Sequence, residues 1–472
     1  MNSVLLVVFD GLRPDRIKPE VTPNLARFAA MGARLPQARS VFPSETRVCT
    51  ASVATGCHPR RHGVVANRML HPNDLRRMVE TGSADQLRAL EQDTGQHAVM
   101  MPGLSELLAA AGRDYAVFSS GSTGQTFILA PRADALGQVV VSGHGAAASS
   151  KAGVAILAKL DPPPTEAAAR AVWIADAWRT TMLPAPPAAS VLWLCEPDTS
   201  AHYMGLDSVG QRQVLTAVDA AFGRILDDWQ AGPHRDSLQI IVASDHGHVT
   251  GDQVFDLRAA LDIHPEFTGC SLTGGPSGGI GVPGAERERI VALASLLMRQ
   301  DWIAHVFTAD AVDLLPGALP HSAVLVDHRR TAHVLYTLRN SNGTAANGLA
   351  GTSMLDTAGH LALGAGTHGG LNAREMATVL MLAGSAVKPG VLSNWPAGLI
   401  DIAPTMLALL EVPGGVSMDG RVLSETLRDA AVPSDSHGPE TWESAGEHYA
   451  QRVARKRVGR HVWLDHGARE PR

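Results

Sequence analysis

The chain has 472 residues, 45% of them hydrophobic and 18% charged, with a formal charge of −6. That balance fits a folded protein with a large core and excludes a disordered chain or one built to coat nucleic acid. Four cysteines (Cys49, Cys57, Cys195 and Cys270) exclude a disulfide scaffold, and 20 histidines against 4% aromatic residues direct attention to where the histidines sit.

The first apolar run, Val4 to Phe9, is too short to cross a membrane. No basic segment precedes it, and it runs into Asp10-Gly11 instead of a small-residue cleavage site. It reads as a buried strand and not as a secretory signal, so a cytoplasmic location and no membrane partner are expected. A helix over 22–31 follows. After the loop Phe42-Pro43-Ser44-Glu45-Thr46, the pattern predicts a further helix. Helices are predicted over 104–111, 167–178, 210–229, 285–299 and 401–410, and buried strands over 115–119, 190–194, 238–243 and 378–382. Alternating helices and continuous apolar strands predict an α/β fold, a parallel sheet covered on both faces. Between 251 and 359 the texture changes to a glycine-rich patch, a helix and two short β-like runs, 323–326 and 332–338. This segment reads as an inserted α+β cap. Residues 1–250 and 360–430 read as the catalytic core, and 431–472 as a C-terminal extension with a late edge strand near 459–464.

Ligands of parallel sheets bind at the carboxyl ends of strands, and polar residues follow these strands directly. Asp10 ends the first, Asp198 and His202 follow the third at one-turn spacing, and Asp245-His246 follow the fourth, with Gly247 supplying a turn. Thr367-His368-Gly369-Gly370 places another histidine in a glycine-rich loop. Three aspartates and three histidines are enough for two cations in mixed nitrogen and oxygen sites, the arrangement that clamps in-line displacement at phosphorus. His62 and His248 flank the same loops, where a ring can support a ligand.

In order and spacing, Asp10, Thr46, Asn67, Asp198, His202, Asp245, His246 and His368 resemble the alkaline phosphatase superfamily, and within it the nucleotide pyrophosphatase/phosphodiesterase family. Val8-Phe9-Asp10-Gly11-Leu12-Arg13, the Phe42 to Thr46 loop, Ala54-Thr55-Gly56 and His62-Gly63-Val64-Val65 with Asn67 carry the likeness, as do Asp401-Ile402-Ala403-Pro404-Thr405 and Asp419-Gly420-Arg421. It spans roughly residues 1–430, with the cap and the tail outside it. The resemblance implies an alkaline-phosphatase-like αβα sandwich and a two-metal phosphodiesterase. Asp198, His202 and His368 would hold one divalent ion. Asp10, Asp245 and His246, with the Thr46 oxygen, would hold the other. Zinc fits the donors best, with manganese or iron as alternatives. Thr46 would be the nucleophile, passing through a phosphothreonine, and Asn67 would donate to a phosphoryl oxygen.

Cys57-His58-Pro59-Arg60-Arg61 matches the C-x-P-x-R pattern of sulfatases, but the register puts Thr46 in the nucleophile slot and Cys57 beyond it. The chain also lacks lysines in 119–124 that would grip a doubly charged phosphoryl group, which favours a small-molecule diester. Arg47 stands where the family has an aromatic residue. It could pair with a carboxylate or second phosphate of the substrate, which keeps a phosphonoacetate-type C–P hydrolase or a phosphomonoesterase as the alternative. A phosphosugar mutase is the more distant one. Trp193 stands where the family has an aromatic platform for the substrate. No nucleic-acid polymer is expected as partner.

Overall fold

The computed structural model describes residues 2–309, 315–432 and 437–470. The core elements are β1 (Ser3–Phe9), α1 (Pro23–Met31), α2 (Thr46–Thr55), β2 (Tyr115–Ser119), β3 (Val139–Ser142), α3 (Ala167–Thr181), β4 (Ala189–Leu194), α4 (Asp198–Met204), α5 (Val209–Ala231), β5 (Leu238–Ala243), β6 (Leu380–Ala383) and α6 (Ile402–Leu409). The main sheet runs β6-β5-β1-β4-β2-β3, with the two-residue strand Ala33–Arg34 outside β6. β5, β1, β4, β2 and β3 are parallel.

Successive side chains of a strand face opposite ways, and β1 divides its residues accordingly. Val4, Leu6 and Val8 enter a core with Val48 and Val53 of α2 and Met406 of α6. Leu5, Val7 and Phe9 enter a second core with Phe28 of α1, Trp178 of α3 and Phe222 of α5. The strand is apolar throughout because both of its faces are covered. α5 presents Leu215, Val218, Phe222, Ile225 and Trp229 as one buried stripe, and its first turn is capped by Ser208, which accepts from the Gln211 amide at 3.1 Å.

Two features depart from the sequence expectations, and the tail adds a sheet of its own. β6 is antiparallel to β5. The chain re-enters the sheet from the strand-end side, where His368 lies, so this strand must run the opposite way; an apolar run specifies a strand but not its direction. The run 323–326 is a single 3-10 turn, His321–Val324, and not a strand. The tail forms its own antiparallel meander, His437–Ala445, Ala450–Val458 and His461–Glu470, whose last strand is the expected late edge strand. Trp463 of this meander packs in the first core and donates to Asp401 Oδ2 at 2.9 Å, and the Tyr449 hydroxyl donates to the Ala304 carbonyl at 2.8 Å.

The inserted segment grows from the strand Val249–Phe255, which pairs with Ala350–Asp356 and Gly366–Thr367. These strands extend a few residues beyond 251–359 at both ends. A five-stranded sheet and the helix Arg287–Met298 complete this layer around a third apolar cluster. Among the described residues, no helix is long and apolar enough to cross a membrane.

Candidate active site

The three central strands deliver the three aspartates. In the β5-β1-β4 register, Val8 pairs with Ala243 and Phe9 with Leu194, so Asp10, Asp245 and the start of α4 emerge side by side. The Asp198 amide donates to the Asp10 carbonyl at 3.0 Å, closing the two strand ends on each other. α4 begins at Asp198, so Asp198 and His202 share one face, one turn apart. Gly247 follows His246 for a reason other than a turn: a Cβ there would lie 2.1 Å from the Arg374 carbonyl oxygen.

Two groups of side chains could each hold a metal ion: Asp10, Asp245 and His246, and beside them Asp198, His202, His248 and His368. The His246 and His368 rings stack at 3.6 Å, so the groups abut. Thr46, the first residue of α2, joins the first group, with its Oγ1 3.3 Å from His246 Nε2 and 3.5 Å from Asp10 Oδ1. All the residues assigned as metal ligands from sequence are therefore brought together.

Every histidine of the two groups is oriented alike. Nδ1 faces a backbone carbonyl: Gly366 at 2.7 Å for His202, Gly247 at 3.0 Å for His246, Gly11 at 2.8 Å for His248 and Ser44 at 2.8 Å for His368. A carbonyl only accepts, so Nδ1 carries the proton and Nε2 turns a lone pair into the site. The Nε2 atoms of His202, His248 and His368 surround Asp198 Oδ1 at 3.2, 3.0 and 3.3 Å. Lone pairs converging on a carboxylate require a positive charge among them. Asp245 repeats the point. Its Oδ1 accepts from the Gly11 and His246 amides, both at 3.0 Å, while its fully buried Oδ2 has no hydrogen-bond partner among the described residues. These donors fit hard-to-borderline divalent ions.

Without such an ion the two groups resolve their charge differently. Burial, then the Asp245 and Asp198 charges, pushes the Asp10 carboxyl well above its usual range, and burial pushes Asp245 up to about 7. Burial would raise Asp198 too, but His202, His248 and His368 prevail and hold it well below. Burial lowers His246 well below the usual imidazole value and His248 to about 4. His368 is also buried, but Asp198 outweighs that and raises it.

Asn67 is held against the residues on either side of the threonine, Glu45 and Arg47. Its Oδ1 accepts from the Arg47 amide at 3.1 Å, which leaves the Nδ2 group free to donate. Its own amide donates to Glu45 Oε2, and Thr81 donates to its carbonyl from both N and Oγ1. Arg47 is half-buried, with a buried Nε that has no partner and no ion-pairing carboxylate among the described residues. Its Nε lies 3.9 Å from where a Cβ of Gly82 would sit.

Trp193 does not form a platform. It is fully buried, and its indole N–H donates to Asp10 Oδ2 at 2.9 Å. The strand register explains this: Trp193 pairs with Val8 and faces the same side as Asp10, two residues on. His62 also falls outside, bonded to Ser52 Oγ at 3.0 Å. Cys57 follows the far end of α2, about 15 Å along the helix from Thr46, with its thiol pushed up to about 11 by burial. Cys49 packs against Ser40, as a buried helix residue should. One contributor was absent from the sequence reading, and a second, His248, was read there only as a supporting ring. Glu45 carries Asn67, and His248 belongs to the ligand group itself, its carbonyl held by Arg13 at 2.9 Å.

A doubly covered sheet with paired Asp/His groups at its strand ends and a threonine leading a helix defines the alkaline-phosphatase-like class. Solved structures agree on the fold. Human ectonucleotide pyrophosphatase/phosphodiesterase 5 superposes with a TM-score of 0.63 at 18% identity, covering 90% of this chain and all of that one. An inactive variant of the murine protein, in complex with AMP, gives 0.60 at 20% identity over 88% and 96% of the two chains. The profile of the type I phosphodiesterase/nucleotide pyrophosphatase family matches residues 4–341, and the chain belongs to that family. The match continues through most of the cap, which the sequence motifs had left outside the likeness. Among curated relatives, bovine bis(5'-adenosyl)-triphosphatase is 24% identical over 55% of this chain and 51% of its own length. Human ectonucleotide pyrophosphatase/phosphodiesterase family member 7 is 26% identical over 57% and 52%. The chain thus spans about half the length of the curated relatives it matches.

Proposed function

We propose that this chain hydrolyses small phosphodiesters or pyrophosphates through attack by Thr46, with two divalent ions as cofactors. The observation that carries the reading is the position of Thr46 Oγ1, within 3.5 Å of both Asp10 and His246 at the start of α2. Asp10, Asp245 and His246 would hold one ion with the threonine oxygen, and Asp198, His202 and His368 the other. Zinc suits these donors best. Bound there, such ions lower the pKa of a hydroxyl and neutralise phosphoryl oxygens.

The residues divide the remaining work. Thr46 loses its proton and its oxygen forms a bond to phosphorus while the bond to the leaving oxygen breaks. Water then forms the next bond to phosphorus, and the phosphothreonine bond breaks to restore the hydroxyl. Asn67 Nδ2, free because Oδ1 is occupied, donates to a non-bridging oxygen where negative charge grows. Glu45 keeps Asn67 in place. Arg47, with no ion-paired carboxylate among the described residues, is suited to a second anionic group of the substrate, a phosphate or a carboxylate. That observation supports a second reading, a phosphonoacetate-type C–P hydrolase or phosphomonoesterase on the same groups.

The test compares rates on bis-p-nitrophenyl phosphate, p-nitrophenyl phosphate and phosphonoacetate, with metal content measured on the same preparation. Faster turnover of the diester and about two zinc-class ions per chain are expected. Preference for the monoester or phosphonoacetate would move the assignment to the second reading, and activity without metal would end the mechanism.

A further inference from the structure

The two metal-ligand groups differ in access. The His246 and Asp245 side chains are 0% exposed, and Asp10 is 5% exposed. His202 and Asp198 are 20% and 15% exposed, the most open of the set. Solvent therefore reaches the site past His202. Thr46 attacks from the closed group, and in an in-line displacement the leaving oxygen departs on the side opposite the nucleophile. The leaving group is thereby directed to the open side.

Tyr203 stands at that opening. It follows His202 on α4, its ring centroid is 6.3 Å from the His202 ring, and it is 78% exposed. Met204, the next residue, and Leu363, on a neighbouring segment, are also exposed. The segments that carry them are joined by the Leu206 amide donating to the Gly364 carbonyl at 3.0 Å, and His202 itself is bonded to Gly366. A large aromatic side chain open to solvent next to a candidate metal ligand is unusual in a chain with 4% aromatic residues, and Trp193 is closed off.

We propose that Tyr203, flanked by Met204 and Leu363, is the stacking platform for an aromatic leaving group. This rests on the two-metal hydrolase reading above and adds to it the side of the substrate that is recognised. A flat ring attached to the leaving oxygen would lie against the Tyr203 face, whereas a purely inorganic leaving group would find nothing to stack on. Stacking on an aromatic face tolerates many ring types, so the platform selects for an aryl or heteroaryl group without specifying which.

The test uses two substrates that leave the same nucleotide on Thr46, the p-nitrophenyl ester of thymidine 5'-monophosphate and thymidine 5'-triphosphate. In Tyr203→Ala, kcat/KM for the aryl ester should fall about tenfold, mainly through KM, and the loss should be at least five times that for the triphosphate. Tyr203→Phe, which keeps the ring, should restore both. Metal content should match the unaltered chain, separating lost stacking from damage to His202. Equal losses on both substrates, or no loss on the aryl ester, would overturn the proposal. If the unaltered chain turned over neither compound, the hydrolase reading would fall, and the proposal with it.

Discussion

The closed ligand group, Asp10 with Asp245 and His246, and the open one, Asp198 with His202, His248 and His368, use the same residue types in opposite electrostatic states. In the closed group, carboxylates crowd each other in a dry pocket, and burial with the neighbouring charges pushes both Asp10 and Asp245 upward. In the open group, one carboxylate sits among three imidazoles, which hold Asp198 well below its usual range, while Asp198 raises His368. The difference follows from burial and from the balance of carboxylates and imidazoles in each group, two to one in the closed group and one to three in the open one.

The sharpest way to break this comparison is Thr46→Ala. Turnover should fall to background while both ions stay bound, since the aspartates and histidines remain; activity above background would remove Thr46 as nucleophile. Next in size, Asp245→Ala should cost the closed group its ion and also destabilise the fold by about 2 kcal/mol or more, because the Gly11 and His246 amides lose their buried acceptor. His202→Ala should weaken only the other ion. Metal titration with parallel thermal melts would distinguish the two, and similar melting losses would contradict the asymmetry.

A third experiment concerns pH. In metal-free protein, Asp245 is raised to about 7 from an unfolded value of about 4. Its protonated form favours the fold, so that stability is full below about 4 and is lost as pH rises through about 7. Asp198 is depressed, so its contribution is present above about 4 and is lost as pH falls. Asp245→Asn should flatten the fall in melting temperature toward pH 7, and Asp198→Asn should flatten the acid limb. Added zinc should cancel the first effect. The smallest expected change is at Trp193→Phe, which removes the donor to Asp10 and should weaken the closed group's ion about tenfold; unaltered affinity would show that Asp10 needs no such support.

Much of this site could be read in the sequence because its ligands follow apolar strands directly, where the parallel sheet makes the strand ends neighbours. Asp10, Asp198 and Asp245 needed only that rule. His248 had a usable signal as well: it lies two residues beyond His246 in the loop that leaves β5, where the other ligands follow their strands. Glu45 and the inward turn of Trp193 had none in the order of residues, since each depends on a partner brought from elsewhere, Asn67 in one case and the β1 register in the other. The direction of β6 was hidden for a similar reason. Direction is fixed by where the preceding loop ends, and composition does not record it.

The Trp193–Asp10 hydrogen bond has one more consequence. An indole buried to 0% exposure, with its N–H on a ligand carboxylate, carries an optical gauge into the closed group. Replacing a proton there with a divalent ion changes the field along the indole ring, so the emission of Trp193 should shift as that group fills and stay constant as the open group fills. The difference between the unaltered chain and Trp193→Phe isolates that signal from the other tryptophans, giving the closed group a loading curve of its own.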